Sequence, residues 1–181
     1  QLGELMLKHL CDITAISKSE IEPHVPAILE QVRHFWSGDA ASEKSQRVCI
    51  SLIEGVSVAI GEAFKFYLPE LLPMLLAIFH SETTQARSNT RAVLQALNNN
   101  LMPLITDFLY MVIPAALQLL ESTDAPLDVR TDALRYVGSL AAWKDISAFS
   151  SSVVHSLLRT LEGPYPQLRT EAVDTLYGLA Y

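Results

Sequence analysis

Five histidines, two cysteines and a scatter of carboxylates are the side chains of this sequence that could do chemistry. No two histidines lie four positions apart on a predicted helix, and none lies beside a cysteine at a metal-binding spacing. The carboxylates follow solvated helix faces and form no inward pair suited to acid–base work. There is no Gly-rich phosphate loop, no Gly-x-Ser-x-Gly elbow and no kinase signature. We therefore predict no catalytic, cofactor-binding or metal-binding residues, and no enzyme activity in this chain itself.

Cys11 and Cys49 both fall on predicted helices. So few cysteines at helical positions are typical of reduced thiols packed in a core, not of a disulfide. No signal or transit peptide opens the sequence. We therefore expect a cytosolic or nuclear protein and assign the cytoplasm as its location.

The elements that must hold these side chains repeat about every 41 residues. Each repeat carries an apolar stripe at helical spacing, which we assign to the first helix of a pair, helix A. The stripe reads Leu71, Leu72, Leu75, Leu76 and Phe79, then Val112, Ile113, Ala116, Leu117 and Leu120, then Val153, Val154, Leu157, Leu158 and Leu161. An earlier copy, with one lapse at Arg33, reads Ile28, Leu29, Val32, Arg33 and Trp36. Such a period predicts a stack of helical units and not a compact enzyme core.

The second helix of each pair, helix B, has its own template of apolar or small residues. Its best copy is Val129, Ala133, Tyr136, Val137 and Leu140. The predicted layout is a leading helix B at 1–16, followed by pairs at about 21–62, 66–98, 105–143 and 147–181. We therefore predict an all-α fold, a single α-solenoid over residues 1–181 whose helix pairs stack as a right-handed superhelix.

The composition excludes two classes of ligand. Half of the residues are hydrophobic, 18% are charged and the formal net charge is −7. Such an acidic chain lacks the clustered cations that nucleic acids require, and it disfavours an anionic membrane surface. No apolar run reaches the roughly 18 residues that a bilayer span needs. We expect neither nucleic-acid binding nor membrane insertion, and assign the apolar excess to contacts between stacked units.

The residue pattern of the third predicted helix pair is typical of the HEAT repeat. Asp124 precedes helix B, and Val129-Arg130 opens it. Arginine recurs in the first turn of two other predicted B helices, as Arg87 and Arg169. In HEAT repeats this arginine reaches back to acidic groups and carbonyls of a neighbouring turn. The resemblance therefore implies a structural ladder, in preference to an anion-binding stripe, formed by Arg87, Arg130, Arg169, Asp124 and Asp128.

Several stretches resemble the middle HEAT solenoid of target of rapamycin (TOR) kinases, in the PI3K-related protein kinase family. They match in order and spacing at 32–36, 64–73, 125–130, 158–169 and 171–176. The resemblance runs from about residue 2 to the end of the chain. Three polar or unfamiliar stretches depart from the TOR pattern, at residues 98–100, 143–144 and 150–152. These departures indicate a divergent lineage.

The TOR resemblance implies a non-catalytic scaffold segment of a serine/threonine protein kinase, whose catalytic domain lies outside this chain. Such a segment spaces the kinase from partner-binding surfaces in growth signalling. It implies as partners the accessory subunits of a TOR-type complex and a second protomer. It also allows recruitment of the parent to an endomembrane or to the lysosome or vacuole surface.

Other helical-repeat functions stay open beside this one. An importin-like transport receptor or a phosphatase scaffold subunit would also bind proteins on such a stack, and the net charge of −7 suits basic cargo. A tubulin-binding array is disfavoured because the A–B loops at 80–82, 121–124 and 162–164 carry the wrong charge for an acidic partner. Neither terminal helix has the polar face of a capping repeat. We therefore expect a fragment of a longer chain, whose isolated form self-associates through its uncapped ends.

Overall fold

Every regular element that the structure describes is helical. The structure is a computed structural model that describes residues 2–37, 41–80 and 86–180. Its α-helices are α1 (Leu2–Ser17), α2 (Val25–Ser37), α3 (Glu43–Ile60), α4 (Leu68–Leu76), α5 (Ala86–Asn98), α6 (Leu109–Glu121), α7 (Leu127–Trp143), α8 (Ser150–Glu162) and α9 (Pro166–Ala180). The predicted all-α solenoid is confirmed.

A short 3-10 segment precedes each helix A. These segments are Lys18–His24 before α2, Gly61–Tyr67 before α4, Thr106–Phe108 before α6 and Ser147–Phe149 before α8. The α-helical part of each helix A therefore begins a few residues later than the periodicity predicts. Pro69 lies in the first turn of α4, where a missing N–H has no intrahelical partner to lose. Pro73 and Pro114 lie inside α4 and α6.

Local capping chemistry sets both ends of α3. Ser42 and Ser45 form a capping box, in which the Ser45 amide donates to Ser42 Oγ at 3.0 Å and the Ser42 amide donates to Ser45 Oγ at 2.8 Å. Ser45 Oγ also lies 2.9 Å from the carbonyl oxygen of Phe35, which ties this helix B to the end of its helix A. The helix stops at Gly61, whose φ of 55° lies in the left-handed region.

The helices form two layers. In one layer the B helices α1, α3, α5, α7 and α9 each contact the next along the stack. In the other layer α4 contacts α6 and α6 contacts α8, while α2, α6 and α8 each pack on the helix B of their own pair. The apolar core lies between the two layers and runs along the stack.

The position of a pair in the stack decides how much of its apolar stripe is buried. In the middle of the stack Ile113 and Leu117 of α6 are only 1% and 7% exposed. At one end, Val154 and Leu158 of α8 occupy equivalent positions but are 37% and 50% exposed. Met6 of α1 is 56% exposed at the other end. The same pattern therefore makes a core where a neighbouring pair covers it and an open apolar face where none does.

Candidate protein-binding surfaces

The histidines lie at the surface, whereas the cysteines lie in packed surroundings. All five histidines are exposed, and the described residues hold no group of three His, Cys, Asp or Glu side chains that could bind a metal ion. Cys49 Sγ lies 3.8 Å from the carbonyl oxygen of Val32, and burial raises the pKa of this thiol to about 12. Burial also raises the pKa of Cys11. Both thiols are therefore poor nucleophiles at neutral pH.

The predicted ladder residues make mostly local contacts. Arg130 Nε donates to the carbonyl oxygen of Leu120 at 2.8 Å, at the end of its own helix A, and its guanidinium lies 5.5 Å from the Tyr165 ring centre. Arg169 Nη1 lies 3.4 Å from the carbonyl oxygen of Gly163. In both pairs the arginine therefore contacts a main-chain carbonyl at or just after the end of its own helix A.

The acidic members of the predicted ladder differ in their surroundings. Asp128 Oδ2 lies 3.4 Å from Arg91 Nη1 of the preceding helix B. Asp124 is exposed in the loop between α6 and α7. The side chain of Arg87 lies outside the part of the chain that the structure describes, so a continuous ladder through all five residues stays a prediction.

A second set of arginines links successive B helices, and the sequence reasoning missed it. Arg47 Nη1 donates to the carbonyl oxygen of Ser88 at 2.5 Å, and Arg91 Nε to Asp132 Oδ2 at 2.6 Å. Arg135 Nε donates to Glu171 Oε1 at 2.8 Å. The even spacing of these three arginines along the chain could have indicated this set. Such exposed pairs contribute little stability, about 0–1 kcal/mol each, so we assign them to the register of the stack.

The A helices carry a matching polar seam. Arg33 of α2 pairs with Glu70 of α4, with 2.7 Å between Nε and Oε1. Arg159 of α8 pairs with Glu121 of α6, with 2.8 Å between Nη1 and Oε2, and Ser156 also donates to Glu121. Neighbouring pairs are therefore tied together on both sides of the apolar core.

A polar cleft of about 560 Å³ lies between α5 and α7. On one side it extends from Ser88 to Asn98 of α5 and to Asn99 in the turn that follows, and on the other from Asp128 to Ser139 of α7. Tyr136 lines it and is only 2% exposed. The Tyr136 hydroxyl is buried without a hydrogen-bond partner among the described residues, and burial raises the pKa of this phenol. We call this feature the Tyr136 cleft.

A wider cleft of about 1180 Å³ lies along the A helices. Residues of α6 and α8, including Pro114, Gln118 and His155, line it together with Phe79 and His80. Glu121 also lines it, but its carboxylate is already engaged by Arg159 and Ser156. The cleft mixes apolar and polar groups and shows no buried polar atom without a partner within the described ranges.

Large apolar side chains are exposed where each helix B passes to the next helix A. Val58 is 65% exposed, Phe66 83%, Tyr110 63% and Trp143 77%. Phe66 makes an edge contact with Tyr67 at 5.3 Å between ring centres. Lys144 Nζ lies 2.7 Å from Thr106 Oγ1, which joins two neighbouring B–A connections. Exposed aromatic residues of this kind are enriched at protein–protein contacts.

Two further apolar faces close the stack at its ends. On α1 the outward side chains Leu5, Met6, Ile13 and Ile16 are 48–80% exposed. At the opposite end, exposed side chains of α8 and α9 are Val154, Leu158, Val173 and Tyr177. At both ends of the stack, apolar residues of a helical stripe are exposed to solvent. This exposure is typical of a repeat that no neighbouring repeat covers.

These features define the class of protein: a repeat solenoid of the armadillo/HEAT type. A crystal structure of computationally designed armadillo repeat proteins for modular peptide recognition superimposes with a TM-score of 0.58 at 15% sequence identity. The match covers 96% of this chain and 74% of that one. At this identity the likeness concerns the fold alone.

Over nearly its whole length the chain is similar to TOR kinases. It is 32% identical over 99% of its length to Serine/threonine-protein kinase mTor of Drosophila melanogaster, and 28% identical over 98% to Serine/threonine-protein kinase tor1 of Schizosaccharomyces pombe. The resemblance inferred from the sequence is therefore confirmed. The chain spans about 7% of the length of each of these two relatives. No family model matches the chain.

No described helix is both long enough and apolar enough to cross a membrane.

Proposed function

We propose that this chain is a non-catalytic scaffold segment of a TOR-type serine/threonine protein kinase. In this role it spaces the catalytic domain from partner-binding surfaces and contributes protein–protein contacts in nutrient and growth signalling. The observation that carries the proposal is the match of nearly the whole chain to a small fraction of a TOR kinase. All of its regular structure in the described ranges is helical repeat.

The open end faces support a place inside a longer stack. Met6 is 56% exposed on α1 and Leu158 is 50% exposed on α8, although the equivalent positions in the middle of the stack, Ala133 and Leu117, are buried. Covering a Leu or Ile side chain is worth about 1.5–3 kcal/mol. We propose that the preceding and following repeats of the parent chain cover these two faces. The polar seams on both layers then continue the register from pair to pair.

A stack of this kind suits a spacer. Its core runs from pair to pair without a break, and close-packed interiors resist compression. The proposed partners are accessory subunits of a TOR-type complex and a second protomer. The proposed location is the cytoplasm, with the parent recruited to an endomembrane or to the lysosome or vacuole surface.

A one-period deletion in the parent kinase tests the scaffold role. Removing residues 109–149 joins the end of one 3-10 segment to the start of α8, which occupies the position of α6 in its pair. Because the repeat is preserved, the shortened parent should fold and phosphorylate a short peptide within about two-fold of the original rate. Its subunit stoichiometry and dimer geometry should change, as measured by mass photometry and electron microscopy.

The matched control is Gln31→Ala, an exposed position on α2 that should change neither property. An unchanged complex in the shortened parent contradicts the spacing role. A full-length transcript without a kinase domain contradicts the TOR assignment and favours a free-standing adaptor.

A further inference from the structure

We propose that an exposed apolar patch on the A helices α4 and α6 binds an amphipathic helix of a partner protein, with basic residues beside the apolar stripe of that helix. The patch consists of Phe66, in the 3-10 segment before α4, Pro69 and Pro73 of α4, and Tyr110 and Pro114 of α6. We call it the A-helix patch. This inference goes beyond the scaffold role, because it gives the chemistry of a partner, and it applies equally to a free-standing adaptor.

The patch lies on the side of two neighbouring A helices that faces away from the core. On α6, Tyr110 and Pro114 are exposed, whereas Ile113 between them is only 1% exposed. Pro69 and Pro73 are exposed at the equivalent positions of α4, one period earlier, and α4 contacts α6. Residues four positions apart lie on the same face of a helix. The two exposed stripes therefore lie side by side.

The outward stripe is more polar in the flanking pairs. At the positions of Tyr110 and Pro114, α8 carries Ser151 and His155. In α2 the first position keeps a proline, Pro26, but the next is Glu30. Polar side chains are the ordinary choice for a helix face that stays in water. The apolar character is therefore concentrated in the two middle pairs, where a missing neighbour in the stack does not account for it.

The area of the patch fits one standard protein–protein interface. Phe66 is 83% exposed and Tyr110 is 63% exposed. At about 200 Å² for each aromatic side chain, the two expose about 300 Å², and the prolines extend this surface. A standard interface buries about 800 Å² on each partner, of which about 57% is apolar. Obligate dimers bury about 2,000–5,000 Å² in total, so the patch is too small for one and we assign it to a separate partner.

The chemistry of the patch favours a helical ligand. Proline has no N–H, and the Tyr110 hydroxyl is the one polar side-chain group of the five residues. An extended segment facing this surface would leave main-chain N–H and C=O groups without partners, whereas a helix satisfies them internally. The exposed stripe from Phe66 to Ala77 is about 17 Å long at about 1.5 Å per residue, which is three helical turns. A helix with apolar anchors at positions i, i+4 and i+7 covers that length.

The charges around the patch favour a basic edge on that helix. Lys65 Nζ lies 2.7 Å from Glu62 Oε2, and Arg33 pairs with Glu70, so these charges are already compensated. Asp107, three residues before the patch begins on α6, is exposed and makes no ion pair within the described ranges. A lysine or arginine beside the apolar stripe of the ligand can pair with it. The net charge of −7 also favours the approach of a basic partner.

The test uses a panel of 16-residue acetylated, amidated peptides with Leu, Phe or Trp at the three anchor positions, lysines beside this stripe and alanine elsewhere. Fluorescence polarisation measures the affinity, and amide NMR shifts of the chain locate the bound peptide. We expect shifts on α4 and α6. Exchanging the lysines for glutamates should weaken binding at least 10-fold, and a proline in the middle of the peptide should abolish it.

Variants of the chain test the two aromatic anchors. Phe66→Ser and Tyr110→Ser should each weaken the best peptide about 10-fold. Because both side chains are exposed, the thermal midpoint of the free chain should stay within about 2 °C. Trp143→Ala is the matched control, since it removes an aromatic side chain that is 77% exposed but lies at the end of the B helix α7. Gln31→Ala removes an exposed amide of α2, and neither control should alter the affinity.

The proposal is overturned if no peptide binds at millimolar concentration, or if the NMR shifts fall on the end helices α1 and α9 and not on α4 and α6. Affinity that is indifferent to both serine variants, or equal for the lysine and glutamate peptides, overturns it as well. Neutral phosphatidylcholine vesicles test the other class of ligand. If they bind the chain and Phe66→Ser abolishes this, while no peptide binds, the patch contacts lipid and not a partner helix.

Discussion

Truncating one leucine at the same stripe position in two successive pairs should have very different costs. Leu117 of α6 and Leu158 of α8 occupy equivalent positions, but Leu117 is 7% exposed and Leu158 is 50% exposed. The change to alanine is chemically identical at both sites. Any difference in the free energy of unfolding therefore reports the neighbouring pair and not the residue.

The magnitudes follow from the two exposures. Full burial of a leucine side chain is worth about 2 kcal/mol, and a buried Leu→Ala change adds a cavity term, so Leu117→Ala should cost about 3 kcal/mol. Leu158 is half-exposed, and solvent fills the space left behind. Leu158→Ala should cost about 1 kcal/mol, half of the transfer contribution with no cavity.

Urea unfolding followed by far-UV circular dichroism measures the difference. With a slope of about 2 kcal/mol/M, the midpoint of Leu117→Ala should lie about 1 M below that of Leu158→Ala. Measurements at several micromolar concentrations separate this effect from self-association at the end faces. Equal costs at the lowest concentration would refute the inference that a missing neighbour exposes Leu158. In a chain extended by the next repeat of the parent, the cost of Leu158→Ala should rise to that of Leu117→Ala.

Three further changes test other parts of the structure. Ile16→Lys with Tyr177→Lys should reduce self-association in sedimentation velocity. Because two lysines move the net charge of −7 toward zero, such a decrease cannot come from added charge repulsion. An unchanged oligomer would contradict the role of the end faces. Gly61→Ala should lower the free energy of unfolding by about 1 kcal/mol, because a φ of 55° strains an L-residue. The control Gly178→Ala, inside α9, should be neutral or stabilising. Equal changes in the thermal midpoint of the two variants would contradict this. Cys49 should resist alkylation by iodoacetamide in the folded chain, as measured by mass spectrometry. Because its folded pKa of about 12 exceeds the unfolded value of about 8.5, its contribution to the free energy of unfolding should be lost as the pH rises between these values. If a Cys49→Ala chain shows the same dependence of stability on pH, that contribution is excluded.

Some features of the structure were predictable because they depend on local spacing. The stripe from Leu71 to Phe79 repeats in α6 and α8, and helical periodicity of this kind predicts both the fold class and the paired layout. The TOR resemblance was also readable from the order of short stretches, and the relatives confirm it. The 3-10 segments before each helix A were not predicted, since 3-10 and α-helical turns carry the same apolar residues.

The inter-helix contacts were harder to predict for a different reason. Arg47, Arg91 and Arg135 are evenly spaced, but their acceptors are a backbone carbonyl, an aspartate and a glutamate. A search for repeated residue types finds the donors and misses the partners. Tyr136 fits the helix B template as an ordinary core position, and nothing in its spacing shows that its hydroxyl lacks a partner.

By itself, the sequence determined a stack of helix pairs with an apolar stripe in each, because helical period and turn chemistry are properties of neighbouring residues along the chain. Only the tertiary structure decided which positions in each copy of the stripe are core and which are surface. Leu117 and Leu158 are the same residue at the same position of the repeat, yet one is covered by the next pair and the other is open. Burial depends on what packs against a helix from outside its own repeat, and no local pattern carries that information.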